Sequence, residues 1–229
     1  MSQYNPQAVM TPEMLERYRM SFESDPVNRL AQDAVTRVSV HTAALNHEVA
    51  TGMDHTFSVM LPSNEATAQE KSGRCWLFSG LNTFRTDIMK RLDVDKFELS
   101  QSYLMFWDKL EKAGYFLESI LSTLSEPTDG RLLMHLLSHP LQDGGQWDMF
   151  CALVAKYGVV PKTAMPETES SGNSAVMNAV ITAKLREYAA ELRRMAAAGD
   201  DEDVLRSRKE MMMGVIFRML AIHLGTPPV

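Results

Sequence analysis

The sequence predicts a mainly α chain, and three observations carry that prediction. Apolar residues recur every three or four positions over most of the length, helix start and stop signals bracket those runs, and period-two alternation is confined to one short stretch. Thr11-Pro12-Glu13 reads as an N-cap, a proline at the first helical position and an acid in the first turn, with Met14, Tyr18 and Phe22 following at helical spacing. Asp25-Pro26 restarts the pattern, with Val27, Leu30, Ala34 and Val38 on one face. Phe57, Val59 and Leu61 alternate with polar residues and predict a short strand ended by Pro62-Ser63-Asn64. Residues 65–74 have little periodicity, and a helix is expected to open at Cys75 with Leu77, Leu81, Phe84 and Ile88 as its buried stripe. Ser100 suits the N-cap of a helix within 97–110, and 131–139 is a helix stopped by Pro140. Gly144-Gly145 is a turn, and 146–156 is a helix closed by Gly158. From Ser174 a helical hairpin is expected: a first arm to Ala198, a corner at Gly199-Asp200-Asp201 whose acids suit a helix start, and a second arm to His223 stopped at Gly225.

Composition narrows the function classes. The 229 residues suffice for one large or two small domains, and 45% hydrophobic with 23% charged residues is ordinary for a globular protein. The net charge of −6 and the lack of a Lys/Arg cluster argue against a nucleic-acid partner. Met1 to Met20 is polar, so no secretory signal is expected, and no stretch reaches the roughly 18 apolar residues of a membrane span. Two cysteines, Cys75 and Cys151, do not make a disulfide framework, and a reducing, cytoplasmic compartment is the expectation.

The stretch that carries chemistry is Gln69-Glu70-Lys71-Ser72-Gly73-Arg74-Cys75-Trp76. A thiol nucleophile must be a thiolate near neutral pH, and the positive end of a helix beginning at Cys75 favours the anion. Gly73 lets a substrate backbone approach closely. A developing oxyanion needs donors: the backbone N–H of Cys75 is one candidate and the side-chain amide of Gln69 another. Spacing alone leaves two readings open, a nucleophile and a cysteine buried on an amphipathic helix, the commoner fate.

Resemblance goes further. Gln69 followed by Ser72-Gly73-Arg74-Cys75-Trp76 and Phe78 resembles the nucleophile motif of papain-like cysteine peptidases. Secreted members carry C-G-S-C-W, whose first cysteine forms a disulfide. The S-G-R-C-W version is similar to the bleomycin hydrolase / aminopeptidase C branch. Residues 97–109, Asp143-Gly144-Gly145-Gln146-Trp147-Asp148, 157–162 and 216–228 resemble that branch in the same order, with one departure, Ala68 where the family usually has Asn before the oxyanion glutamine. The resemblance implies a parent α+β papain-like fold, of which this chain covers mainly the helical domain and a helical-hairpin insertion. The division expected is 1–62 for N-terminal helices and strand, 63–167 for the helical domain and 168–229 for the insertion. It also implies an N-terminal peptidase acting through a thioester at Cys75, with Gln69 in the oxyanion hole and Gly73, Trp76, Gly144 and Gly145 against a peptide substrate. A homohexamer is implied for the complete protein; no cofactor, metal, membrane or nucleic acid is.

A catalytic histidine and an orienting N-S-W-G asparagine are also required, and no N-S-W-G run occurs here. His223 falls in the window of about 130–150 residues after the nucleophile, but its helix-end context suits the helix dipole instead. His135 and His139, four apart, lack a third metal ligand, and His41, His47 and His55 read as surface residues. The chain is therefore expected to carry the nucleophile half of a site and to be inactive alone. The alternative is a non-catalytic helical binding or assembly module. Met211-Met212-Met213 reads as core filler, and Arg186, Arg193 and Arg194 with Glu187 and Glu191 as a solvated face of helix pairs.

Overall fold

A computed structural model describes residues 10–54, 56–58 and 65–228. The chain divides into two compact units, Met1–Leu61 and Pro62–Val229.

Among its described residues the first unit holds four short helices: α1 (Pro12–Ser24), α2 (Pro26–Val35), α3 (Val40–Ala43) and α4 (His47–Gly52). Each starts at a side-chain cap, Thr11, Asp25, Ser39 and Asn46 in turn, which accepts from an otherwise orphaned N–H of the first turn. None of their residues is buried. Val27 and Leu30 are exposed, and Val38 lies beyond the end of α2. The periodicity there marks a face suited to burial without naming what covers it. In the predicted strand, Phe57 is exposed and outside regular structure, whereas Val59, Leu61 and the terminating Pro62-Ser63-Asn64 lie outside the described residues, as does His55.

The second unit is built round α6 (Gln101–Ser122), which packs against α5 (Cys75–Leu92), α7 (Arg131–Ser138), α8 (Trp147–Tyr157), α10 (Ala175–Ala198) and α11 (Glu202–Leu224); α9 (Glu169–Gly172) is a single turn before α10. Ser100 caps α6 by accepting from Tyr103 N at 3.0 Å. The helix starts directly after this cap, as expected, and the chain before it is extended: Leu99 bridges Pro161, with Ser100 N donating to Val160 O at 2.9 Å. It runs well past residue 110, since Ala113, Phe116, Leu117 and Ile120 continue the buried face. Among the described residues, β structure is limited to this bridge and a parallel one between Lys71 and Asn173.

Several sequence expectations are corrected here. Leu77 and Leu81 are buried in α5, but Phe84 is 37% exposed and lies over Phe150 of α8. Gly80 lets α8 close in, because a Cβ there would lie 2.5 Å from the Phe150 ring. Met212 is buried, Met213 half-buried and Met211 exposed; residues about 100° apart on a helix cannot all face α6. Arg186 and Arg193 do not pair with Glu187 and Glu191. They donate to the carbonyls of Leu137 and Ser138 and of Thr123 and Glu126, satisfying the ends of α7 and α6. His139 is the non-helical C-cap of α7, so it does not continue the helical register of His135. At the hairpin, Gly199 takes the left-handed conformation at φ 95° and Asp201 caps α11.

Candidate active site

Cys75 is the first residue of α5 and its side chain is exposed. An 18-residue helix thus begins at the thiol, where unpaired N–H groups favour a negative charge. The segment before it is held by reciprocal bonds. Ser72 Oγ donates to Gln69 O at 2.7 Å, and Gln69 Nε2 donates to Ser72 O at 2.7 Å. Ser72 is buried, and its hydroxyl ties the loop. Glu70, between them, sits in the left-handed region at φ 53°. Lys71 N donates to Gly172 O at 2.8 Å, joining the loop to α9.

Arg74, immediately before the thiol, is 1% exposed. Its Nε donates to Ser72 Oγ at 2.8 Å, and its two terminal nitrogens donate to the Glu167 oxygens at 3.0 and 2.7 Å. Ser171 Oγ donates to the same carboxylate at 2.6 Å. The guanidinium also lies over the Phe78 ring.

On the other side, Asp143 collects the site. Its Oδ2 accepts from Gly73 N at 2.9 Å and Ser174 Oγ at 2.5 Å; its Oδ1 accepts from Lys109 Nζ at 2.5 Å and Asn178 Nδ2 at 2.7 Å. Its main-chain oxygen accepts from Trp76 Nε1 at 2.8 Å. Burial pushes the Asp143 carboxyl up, but the Lys109 ammonium and the converging donors outweigh it and hold the group well below the usual carboxylate range. Burial lowers Lys109, and Asp143 partly restores it. In the residue before Lys109, burial raises Asp108 to about 6 despite its ion pair with Lys112 one turn on. Lys112 Nζ also donates to the carbonyls of Gln142 and Gly144, at 3.0 and 2.7 Å, and so fastens the glycine loop to α6.

The structure therefore brings Gly73, Cys75, Trp76 and Gly145 to one place. Gly145 packs flat against the indole, since a Cβ there would lie 2.5 Å from Trp76 Cε2, whereas a Cβ on Gly144 would meet nothing within 4 Å. Gln69 is half-buried, and one N–H of its amide is engaged with Ser72. A recess of about 650 Å3 beside the Gln69 loop is lined by Ala68, Glu70, Glu167 and Asn173 among others, and Cys75 does not line it. His223 is in the last turn of α11, where its Nδ1 lies 2.8 Å from Ser170 Oγ and its carbonyl accepts from Thr168. Among the described residues no group of three His, Cys, Asp or Glu side chains is placed to hold a metal, and no helix is long and apolar enough to cross a membrane.

The sequence reading missed the residues that organise this region: Asp143, Lys109, Arg74 and Glu167. Asp143 and Arg74 do lie inside the quoted motifs, adjoining the glycine pair and the thiol. Lys109 ends another of those runs, and only Glu167 lies outside them; none was recognised, because the partner of a buried charge is known only once the fold has brought the two together.

Comparison with known proteins adds the family. Residues 9–229 match the model of the Peptidase C1-like family. Aminopeptidase C of Listeria monocytogenes is 42% identical over 97% of this chain and 50% of its own length. Bleomycin hydrolase of Mus musculus is 39% identical over 96% of this chain and 50% of its own. The crystal structure of PepW from Lactobacillus rhamnosis superimposes with a TM-score of 0.89 at 40% identity, covering 97% of this chain and 50% of that one. The chain thus spans about half the length of most of the relatives it matches.

Proposed function

Because the chain belongs to the Peptidase C1-like family, we propose that it carries the nucleophile half of a cysteine-type aminopeptidase of the bleomycin hydrolase / aminopeptidase C kind. The observation that supports this most is the exposed Cys75 thiol at the start of α5, behind a turn anchored on both sides. The Cys75 thiolate attacks the carbonyl carbon of the substrate's first peptide bond. The oxyanion so formed takes hydrogen bonds from the Cys75 backbone N–H and from the second N–H of the Gln69 amide, which has no partner among the described residues. The leaving amine departs with a proton, a thioester remains on Cys75, and water releases the acyl group. Gly73, Trp76, Gly144 and Gly145 form the adjoining wall of the substrate cleft.

The histidine that moves the proton and the asparagine that orients it lie outside these 229 residues. Residues 1–62 are the N-terminal part, 63–167 the helical domain of a papain-like α+β fold and 168–229 its helical insertion, in a cytoplasmic homohexamer. Two assays test the reading. The purified 229-residue chain should not hydrolyse an aminoacyl reporter, and thiol-sensitive turnover lost in Cys75→Ala would overturn that part. Reading the coding sequence beyond Val229 should reveal a histidine and an N-S-W-G run, and the product extended through them should hydrolyse the reporter in a Cys75-dependent way. A stop codon directly after Val229, or turnover indifferent to Cys75→Ala, would favour a non-catalytic helical module.

A further inference from the structure

We infer that Asp143 is a positioning residue for the nucleophile, and that the α10 segment braces it. This rests on the reading of Cys75 as a nucleophile and adds a residue to it. Asp143 grips the chain on both sides of the thiol: its carboxylate holds Gly73 N–H, two residues before Cys75, and its carbonyl holds the Trp76 indole, one residue after. Gly73 must lack a side chain for this, since a Cβ there would lie 2.8 Å from the Asp143 Cβ. The carboxylate itself is gripped from elements distant in sequence, by Lys109 on α6, Ser174 at the cap of α10 and Asn178 in its first turn. Four donors on one carboxylate leave it little freedom to rotate. The turn that presents the thiol to the start of α5 is held with it.

The grip sets how well the α5 terminus stabilises the Cys75 thiolate. When Gly73 N–H is released, the entry turn frays and the thiolate loses part of the helix-end field. A purely electrostatic action of Asp143 would do the opposite, because removing a nearby negative charge lowers a thiol pKa.

The experiment uses the full chain carrying Cys151→Ser, so that Cys75 is the only thiol. Its alkylation by iodoacetamide is followed from pH 5 to 10. Lys109→Met is combined with Asp143→Asn or with Asp143→Ala, so that neither protein buries an unpaired ammonium; circular dichroism verifies the fold. The Asn protein keeps an oxygen for Gly73 N–H, and the Ala protein does not. The expected result is that alkylation near pH 7 is about 2- to 5-fold slower in the Ala protein than in the Asn protein, with its pH midpoint higher. A role in stability alone would lower the denaturation midpoint and leave the thiol titration unmoved. A second measurement needs no variant: in the parent, the Gly73 amide should exchange hydrogen slowly although the residue is exposed. Equal thiol midpoints in the two variants, or Gly73 exchange at open-loop rates, overturn the inference. If turnover by the product extended beyond Val229 is indifferent to Cys75→Ala, the nucleophile reading itself falls. Cys75-dependent turnover with equal variants removes only the role of Asp143.

Discussion

The Arg74 guanidinium and the Glu167 carboxylate meet fork to fork, through hydrogen bonds of 3.0 and 2.7 Å, and Arg74 is the N-cap residue directly before Cys75 at the start of α5. The arginine is almost wholly buried and the glutamate about a quarter exposed, so the pair is unevenly solvated. Removing the glutamate would leave an arginine without its counter-ion in the interior. Glu167→Ala should therefore destabilise the second unit by about 3 kcal/mol, read as a lower urea midpoint. Arg74→Met combined with Glu167→Ala should cost less than Glu167→Ala alone, because no charge is then left buried. Additive costs would show that the pair is not coupled.

Asp108 predicts a pH dependence of defined sign. It is 3% exposed, and burial raises its folded pKa to about 6, above an unfolded value near 3.9. Between those values the native state holds the extra proton, so the contribution of Asp108 to stability falls as pH rises through the window. Asp108→Asn removes this slope. Its stability relative to the parent should rise by about 1–3 kcal/mol from pH 4 to pH 7 and level off above. Asp143 acts in the opposite sense: held below the ordinary range, it contributes stability above pH ~3.9 that is lost on acidification. Urea denaturation at half-unit pH steps measures both. A parent-to-variant difference that is flat with pH would count against a raised Asp108.

Ser72 should matter through its hydroxyl. It donates to Gln69 O and accepts from Arg74 Nε at a buried position. Ser72→Ala leaves a carbonyl and a guanidinium N–H without that partner, and about 1–3 kcal/mol should be lost. Thermal unfolding of the variant checks this. A change within a few tenths of a kcal/mol would mean that water replaces the hydroxyl at no cost.

What the sequence revealed follows from the range over which each signal acts. Thr11 and Ser100 were legible as caps, and Asp25 and Asp201 as marking helix starts, because a cap bonds within three residues of itself. The long hairpin was legible because Gly199 and Gly225 end its arms with positive φ. Phe84 was misplaced because spacing identifies a face and not its depth of burial. Arg186 and Arg193 were misplaced because their partners are carbonyls about 50 to 70 residues away. At the site, the motif located Cys75, Trp76 and the glycine pair. The Asp143–Lys109 and Arg74–Glu167 connections exist only after α6, α8 and α10 have packed.

The two adjacent glycines of the 142–145 loop should respond oppositely to a methyl group. At Gly145 a Cβ would lie 2.5 to 2.7 Å from three atoms of the Trp76 indole, well inside contact distance. The ring cannot withdraw without lengthening its bond to Asp143 O, and Lys112 on its face is itself tied to Asp108 and two loop carbonyls. Gly145→Ala should therefore cost about 1–3 kcal/mol, the range for overpacking a filled site, and should change Trp76 fluorescence as the indole moves. At Gly144 the same methyl would meet nothing within 4 Å and the backbone has no positive φ, so Gly144→Ala should stay within about 0.5 kcal/mol of the parent. Parallel denaturation of both variants decides it. Equal effects would mean that the loop yields as a whole, and the tight packing of Gly145 on Trp76 would then not fix the wall beside Cys75.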